Sequence, residues 1–194
     1  SGKLIYSARV IPYRGSWLDM EFDQKDLLYV RIDRRRKFPI TILLKALGYT
    51  VEQILEYFYD QDIVEIRKGK LYRKIDIDKM LGQRALVDVV DPKSKEVLVK
   101  AGRRITRAVV RKVKDIGLTE LEVSSEDIKG KVVAKPIIDE STGEIIADAN
   151  SEIGKDTVEK AIQAGIKTLN LIFFDGLSVG TFLRNTLLLA KVDD

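Results

Sequence analysis

The chain of 194 residues has no cysteine, no histidine, four prolines and a single tryptophan. The absence of cysteine removes disulfides, thiolate metal sites and cysteine nucleophiles at one stroke. The absence of histidine takes away the commonest general base and the commonest zinc ligand. A catalyst built on this sequence would have to work with carboxylates, lysine or tyrosine alone, so no catalytic site is expected within it. Long apolar runs are missing too. The best candidates, residues 40–44 and 187–190, fall well short of the roughly 18 residues a membrane span needs. The opening Ser1-Gly2-Lys3 carries no apolar signal region, so nothing suggests secretion.

What is present is an ordinary globular composition, 45% hydrophobic with a net charge of +4, enough for one or two domains. The distribution of charge says more than its sum. Asp19, Glu21, Asp23 and Asp26 stand against Lys25, and residues 31–37 then hold five cations and one acid. Just before this sign change lies Pro12-Tyr13-Arg14-Gly15-Ser16-Trp17, with the sole tryptophan beside a Gly-Ser turn. An aromatic plate next to guanidinium groups suits a nucleic-acid strand. Arginines neutralise phosphates, while a flat ring stacks on an unpaired base for about 1–3 kcal/mol whatever the base. The same residues also describe a solvated turn with a half-buried tryptophan.

The periodicities predict an α+β chain. Residues 4–11, 17–22 and 28–32 alternate as strands, with a turn at Asp23-Gln24-Lys25-Asp26. Pro39 opens a helix whose stripe is Ile40, Leu43, Leu44 and Leu47, stopped by Gly48. Thr50 and Gln53 form a capping box for a second helix with Val51, Ile54, Leu55 and Phe58 on one face. Lys68-Gly69 marks a hairpin between residues 63–66 and 71–75. An internal repeat follows: Asp91 to Leu98 matches Asp139 to Ile146, and Ile105, Val110, Gly117 and Leu121 find partners at Ile153, Val158, Gly165 and Leu169 without a gap. Each copy, 90–123 and 138–171, reads strand, acidic turn, strand, helix, glycine, strand. Two such ββαβ units share a core that neither builds alone. Their helices are expected to bury Ala108, Val109, Val113 and Ile116 in one copy and Val158, Ala161 and Ile162 in the other. The expected organisation is a discontinuous first domain, 1–62 with 179–194, interrupted by an inserted domain at 63–178. Residues 175–178 read as a turn and 191–194 as a polar linker.

The strings IPYRGSWLDMEFD, LLYVRIDRRRKFP and ITILLKALGYTVEQIL closely resemble the lobe region of the bacterial DNA-directed RNA polymerase beta subunit. The middle of the chain is similar, more loosely, to an insertion carried within that lobe in some lineages. The resemblance implies a fragment of a much larger subunit: an incomplete, discontinuous lobe domain of strands and a helical hairpin, interrupted by the duplicated insert. It implies a wall of the DNA cleft that touches the non-template strand and the downstream duplex. The matching tryptophan, Trp17, would stack on an unpaired base. Arg14, Asp33, Arg34, Arg35, Arg36 and Lys37 would border the same channel and hold backbone phosphates, contacts that position without reading sequence. Five adjacent side chains cannot all face one groove, so some of them are simply solvated. The parent activity would be templated nucleotidyl transfer in the bacterial cytoplasm, at the nucleoid, with no membrane involved. No cofactor is expected in this fragment, the Mg²⁺ of the parent enzyme being bound on another subunit. Implied partners are DNA, the alpha, beta prime, omega and sigma subunits, and a possible regulator at the insert. The alternative is a protein-interaction platform that docks transcription regulators through the inserted domain.

Lesser signals read plainly. Arg103, Arg104, Arg107, Arg111, Lys112 and Lys114 make a basic helix face, which is more often solvated than functional. Gly130-Lys131 lacks the spacing of a phosphate loop. Asp139, Glu140 and Glu144 have the chemistry for a hard cation, but an acidic hairpin turn is the commoner outcome.

Overall fold

The computed structural model describes residues 4–85, 87–174 and 180–189. The chain divides into two compact units, Ser1–Tyr59 with Gly176–Asp194, and Asp60–Asp175. The turn expected at 175–178 and the linker at 191–194 lie outside the described residues.

In the first unit, β1 (Ser7–Val10), β2 (Leu18–Phe22), β3 (Leu28–Ile32) and β4 (Phe38–Pro39) form an antiparallel sheet in sequence order. The β2–β3 turn is closed by Asp23, whose carboxylate accepts from the Lys25 and Leu27 amides at 2.8 and 2.9 Å. Proline at position 39 has no N–H to lose at a helix start, and α1 (Ile40–Ala46) begins directly after it. Helix α2 (Val51–Phe58) carries the capping box: the Thr50 hydroxyl accepts from the Gln53 amide at 3.2 Å, and Gln53 Oε1 accepts from the Thr50 amide at 2.9 Å. Thr50→Ala removes one half of this exchange and should cost about 1 kcal/mol, measurable as a lowered midpoint of thermal unfolding. Helix Phe182–Leu189 completes the unit. Its Thr186 hydroxyl accepts from the Leu28 amide at 3.0 Å and donates to the Phe182 carbonyl at 2.8 Å. Val30, Ile54, Leu55, Leu183 and Leu187 are buried in this unit.

Two helix faces differ from the sequence expectation. Leu47 and Phe58 are 66% and 52% exposed, while Thr41 and Tyr59 are buried instead. Periodicity gives the width of an apolar stripe, but the neighbours decide where the stripe is centred. Burial pushes the Tyr59 phenol above its ordinary pKa, and the ring oxygen accepts from the Arg184 amide at 3.0 Å.

In the second unit, the hairpin of β5 (Gln61–Arg67) and β6 (Lys70–Lys74) turns through Lys68 and Gly69, both at positive φ. Then come β7 (Val89–Val90), β8 (Val97–Val99), α3 (Arg107–Asp115) and β9 (Glu120–Val123). A short α4 (Ser125–Ile128) leads to β10 (Ile137–Ile138), β11 (Ile145–Ala147), α5 (Lys155–Gln163) and β12 (Thr168–Ile172). The helix of the first unit named above is α6. The main sheet runs β12-β5-β6-β9, so the hairpin is flanked by the last strands of the two halves.

Backbone bonds recur at an offset of 48 between the halves. Asp91 N–H to Glu96 O and Asp139 N–H to Glu144 O are 3.0 and 2.9 Å, and Ile105 N–H to Gln83 O and Ile153 N–H to Lys131 O are both 2.8 Å. The backbone enters the left-handed region at matching places: Gly117 and Gly165 end α3 and α5 at φ 66° and 69°, and Gly102 at 75° corresponds to Asn150 at 69°. Glycine and asparagine are the residues that tolerate this region. The buried cores follow the same offset, with Met80, Ala85, Ile105, Val110, Val113 and Leu121 answered by Ile128, Val133, Ile153, Val158, Ala161 and Leu169. These correspondences begin upstream of residues 90 and 138. Of the expected inward face of α3, Val113 is buried and Val109 and Ile116 are half-buried, whereas Ala108 is exposed and Val110 is buried in its stead.

A charged cluster is buried inside this unit. The Asp62 carboxylate, its side chain 2% exposed, accepts from Arg73 Nε at 2.7 Å and from Lys131 Nζ at 2.6 Å. Burial holds the Lys131 pKa below its ordinary value, with Arg73 adding to the effect and Asp62 opposing it. Lys131 therefore serves as a structural counter-ion rather than as part of a phosphate loop.

Candidate nucleic-acid interface

Two connections of the first sheet are clipped together where β2 begins and β3 ends. Register pairs Leu18 with Ile32, which places Trp17 beside Asp33. The Trp17 amide donates to Asp33 Oδ1 at 2.8 Å, and the Asp33 amide donates to the Trp17 carbonyl at 2.9 Å. Asp33 and Arg34 have φ of 49° and 59°, and the Arg35 amide closes the turn onto the Ile32 carbonyl at 3.1 Å. Positive φ at both central residues is the pattern of tight hairpin turns that match strand twist, and aspartate tolerates it better than most. The turn thereby fixes where the Arg34 side chain leaves the backbone.

The indole of Trp17 is 37% exposed, so its ring is neither sealed in a core nor free of neighbours. The Arg34 and Arg9 guanidinium carbons stand 5.5 and 5.7 Å from the ring centroid, within the range of cation–π attraction. Arg9 also forms an ion pair with Asp19, its cross-strand partner. The arrangement is an accessible aromatic plate bracketed by two cations on a sheet-supported turn.

The sequence candidates separate into groups. Trp17, Asp33 and Arg34 come together. Arg14, Arg35 and Arg36 are exposed, and none forms an ion pair among the described residues. Lys37 is turned to other work: its ammonium lies 4.6 Å from the Tyr29 ring and 3.7 Å from Glu21, which also binds Arg31 at 3.0 Å. Arg9 and Arg31 were missed by sequence reasoning. Their placement depends on the strand pairing, and no local signal in the sequence announces it.

The carboxyl of Asp33 is held below the usual carboxylate range, first by the Ser16 hydroxyl, then by the Trp17 amide and the charge of Arg35. A depressed carboxyl supports its turn above the ordinary aspartate pKa, and that support fades as pH falls through the lowered value. Resonances of Trp17 and Asp33 in an NMR pH titration should therefore move together, with a midpoint below that of a free aspartate.

The acidic hairpin of the second unit is closed by its own hydrogen bonds. Asp139 accepts from the Ser141 amide at 2.8 Å and from its hydroxyl at 2.6 Å, and these bonds lower its pKa. Asp91 repeats the pattern with Ser94 and the Lys93 amide. Among the described residues no group of three acidic side chains is placed to hold a metal, and no helix is long and apolar enough to cross a membrane.

Comparison with known proteins adds a second line. Residues 2–80 match the family model described as RNA polymerase Rpb2, domain 2. The chain is 70% identical over 194 residues to the DNA-directed RNA polymerase subunit beta of Bdellovibrio bacteriovorus, covering 100% of the chain. It is 50% identical over 192 residues to that of Syntrophotalea carbinolica and 48% over 193 residues to that of Sorangium cellulosum, each covering 99% of the chain. In all three cases the chain spans only 14% of the relative's length.

Proposed function

Because this chain is homologous along its whole length to a segment of DNA-directed RNA polymerase beta subunits, we propose that it works in transcription as part of such a subunit, forming a wall of the DNA cleft. The observation that carries this reading is the accessible Trp17 indole, bracketed by Arg34 and Arg9 and clipped in place by Asp33. A ring so held stacks on an unpaired base of the non-template strand at the downstream edge of the melted region. Arg34, Arg35, Arg36 and Arg14 supply the cationic border along the backbone. Asp33, an anion, acts by positioning the turn instead of touching phosphate. Lys37, engaged by Tyr29 and Glu21, is left out of this border.

The second unit is, on this reading, an insertion within the lobe that arose by duplication of a ββαβ element, which accounts for the bonds and core positions that recur at an offset of 48. The segment itself is non-catalytic. Nucleotidyl transfer and its Mg²⁺ belong to other parts of the parent enzyme, and alpha, beta prime, omega and sigma subunits are the neighbours in the bacterial nucleoid.

The deciding experiment measures affinity of the chain for forked DNA at low and moderate salt. Weak, salt-steep binding is expected. Arg35→Ala should flatten the salt slope by about one phosphate contact, and Trp17→Ala should weaken binding without flattening it. Indifference to both substitutions would favour a regulator-docking platform in place of a DNA wall.

A further inference from the structure

The two halves of the second unit share a backbone but not a charge. In the first half α3 presents Arg107, Arg111, Lys112 and Lys114 against Asp115, and Arg103 and Arg104 lie in the turn before it. At the same offset of 48, Arg103, Arg107 and Arg111 correspond to Ser151, Lys155 and Glu159 of the second half. Helix α5 has no net charge, with Lys155 and Lys160 set against Asp156 and Glu159. The duplicate is an internal control: the fold forms with serine, lysine and glutamate at these places, so it does not require arginines there.

Nor are these arginines used within the unit. Neighbouring lysines do find carboxylates: Lys112 with Glu96 at 3.4 Å, Lys114 with Asp78 at 2.7 Å, and Lys70 with Glu122 at 2.8 Å. Arg104 Nε donates to the Gly82 carbonyl at 2.8 Å. Arg103, Arg107 and Arg111 are exposed, and among the described residues none of the three meets a carboxylate. Arg107 and Arg111 stand one turn apart, about 6 Å along the axis, comparable with the spacing of phosphates along a strand when long side chains adjust.

The chemistry of the face chooses the partner. A stable protein interface needs apolar or aromatic anchors at its centre. The exposed surface of α3 offers only Ala108, and no large exposed hydrophobic residue lies on this helix. Arginine, with its planar fork of donors, suits phosphate oxygens better than a diffuse charge does. We propose that Arg103, Arg107 and Arg111 form a second, sequence-independent contact with the phosphate backbone of duplex DNA. This contact is independent of the Trp17 site, because it concerns paired DNA and a different unit.

The test uses the whole chain and a labelled blunt duplex of about 20 bp, titrated between about 50 and about 200 mM salt. Three phosphate contacts contribute a log–log salt slope of about 2.7, or roughly a 40-fold fall in affinity over that range. Replacing the three residues together (R103Q, R107Q and R111Q) should remove that share, with circular dichroism unchanged because all three are exposed. The corresponding Arg→Lys variant should keep the slope, and Lys155→Gln at the duplicate position should alter it by no more than a fraction of a contact. The same loss should appear in a Trp17→Ala background, so failure of one site is separable from failure of the other. A triple glutamine variant that binds duplex with undiminished affinity and slope overturns the proposal. So does a chain that shows no duplex binding at about 50 mM salt, or a variant that loses only its affinity for an acidic polypeptide.

Discussion

Asp62→Ala should destabilise the second unit by about 3–5 kcal/mol, the largest single-residue effect expected in this chain. The carboxylate bridges Arg73 and Lys131, at 2.7 and 2.6 Å, and its own side chain is almost wholly buried. Removing it leaves two cations facing each other away from water, and neither can be satisfied by the alanine. Lys131 already pays for its burial with a lowered pKa even when Asp62 is present. Denaturation followed by far-UV circular dichroism should show the loss, and hydrogen exchange should speed up first in β5 and β6. Replacing all three members together with apolar residues of similar volume should recover much of the stability, since a buried ion network often contributes little net over a well-packed core. A single Asp62→Ala variant with a stability within about 1 kcal/mol of the parent would show that water reaches the site.

Trp17→Ala should reduce affinity for forked DNA by about 5- to 150-fold, the equivalent of about 1–3 kcal/mol of base stacking. The salt slope should stay the same, because an indole carries no charge and releases no counterion. Trp17→Phe should retain most of the binding, since a smaller ring still presents a face. Arg34→Ala should behave in the opposite manner, flattening the slope by about 1 while also freeing the ring that its guanidinium flanks at 5.5 Å. The contrast between the two variants separates stacking from charge. If Trp17→Ala left forked and blunt DNA bound equally well and unchanged, the ring would be no more than a half-covered surface residue.

Features that depend on neighbours in sequence were readable before the structure. The capping box of Thr50 and Gln53, the Lys68-Gly69 turn and the helix-ending Gly117 and Gly165 all rest on contacts spanning a few residues. The stripe centres were less legible: Leu47, Phe58 and Ala108 face solvent although they lie on or near the apolar period. A helix shows which residues share a side, but the element packed against it sets the rotation. The site followed the same division. Trp17 and the basic run were visible as composition, whereas Arg9 reached the ring only through the register of β1 against β2.

The order of residues alone determined the lack of thiol and imidazole chemistry, the local turns and caps, the recurrence of similar segments, and the kinship with polymerase beta subunits. Tertiary structure alone decided that Asp62, Arg73 and Lys131 would meet across as many as 69 positions, that Asp33 would clip the tryptophan turn, and that three arginines of one half would meet no carboxylate among the described residues. The reason is physical. Short-range preferences are set by backbone geometry and need only a few adjacent residues, while charge pairing and burial depend on which strands lie side by side, and that is settled when the whole core packs at once.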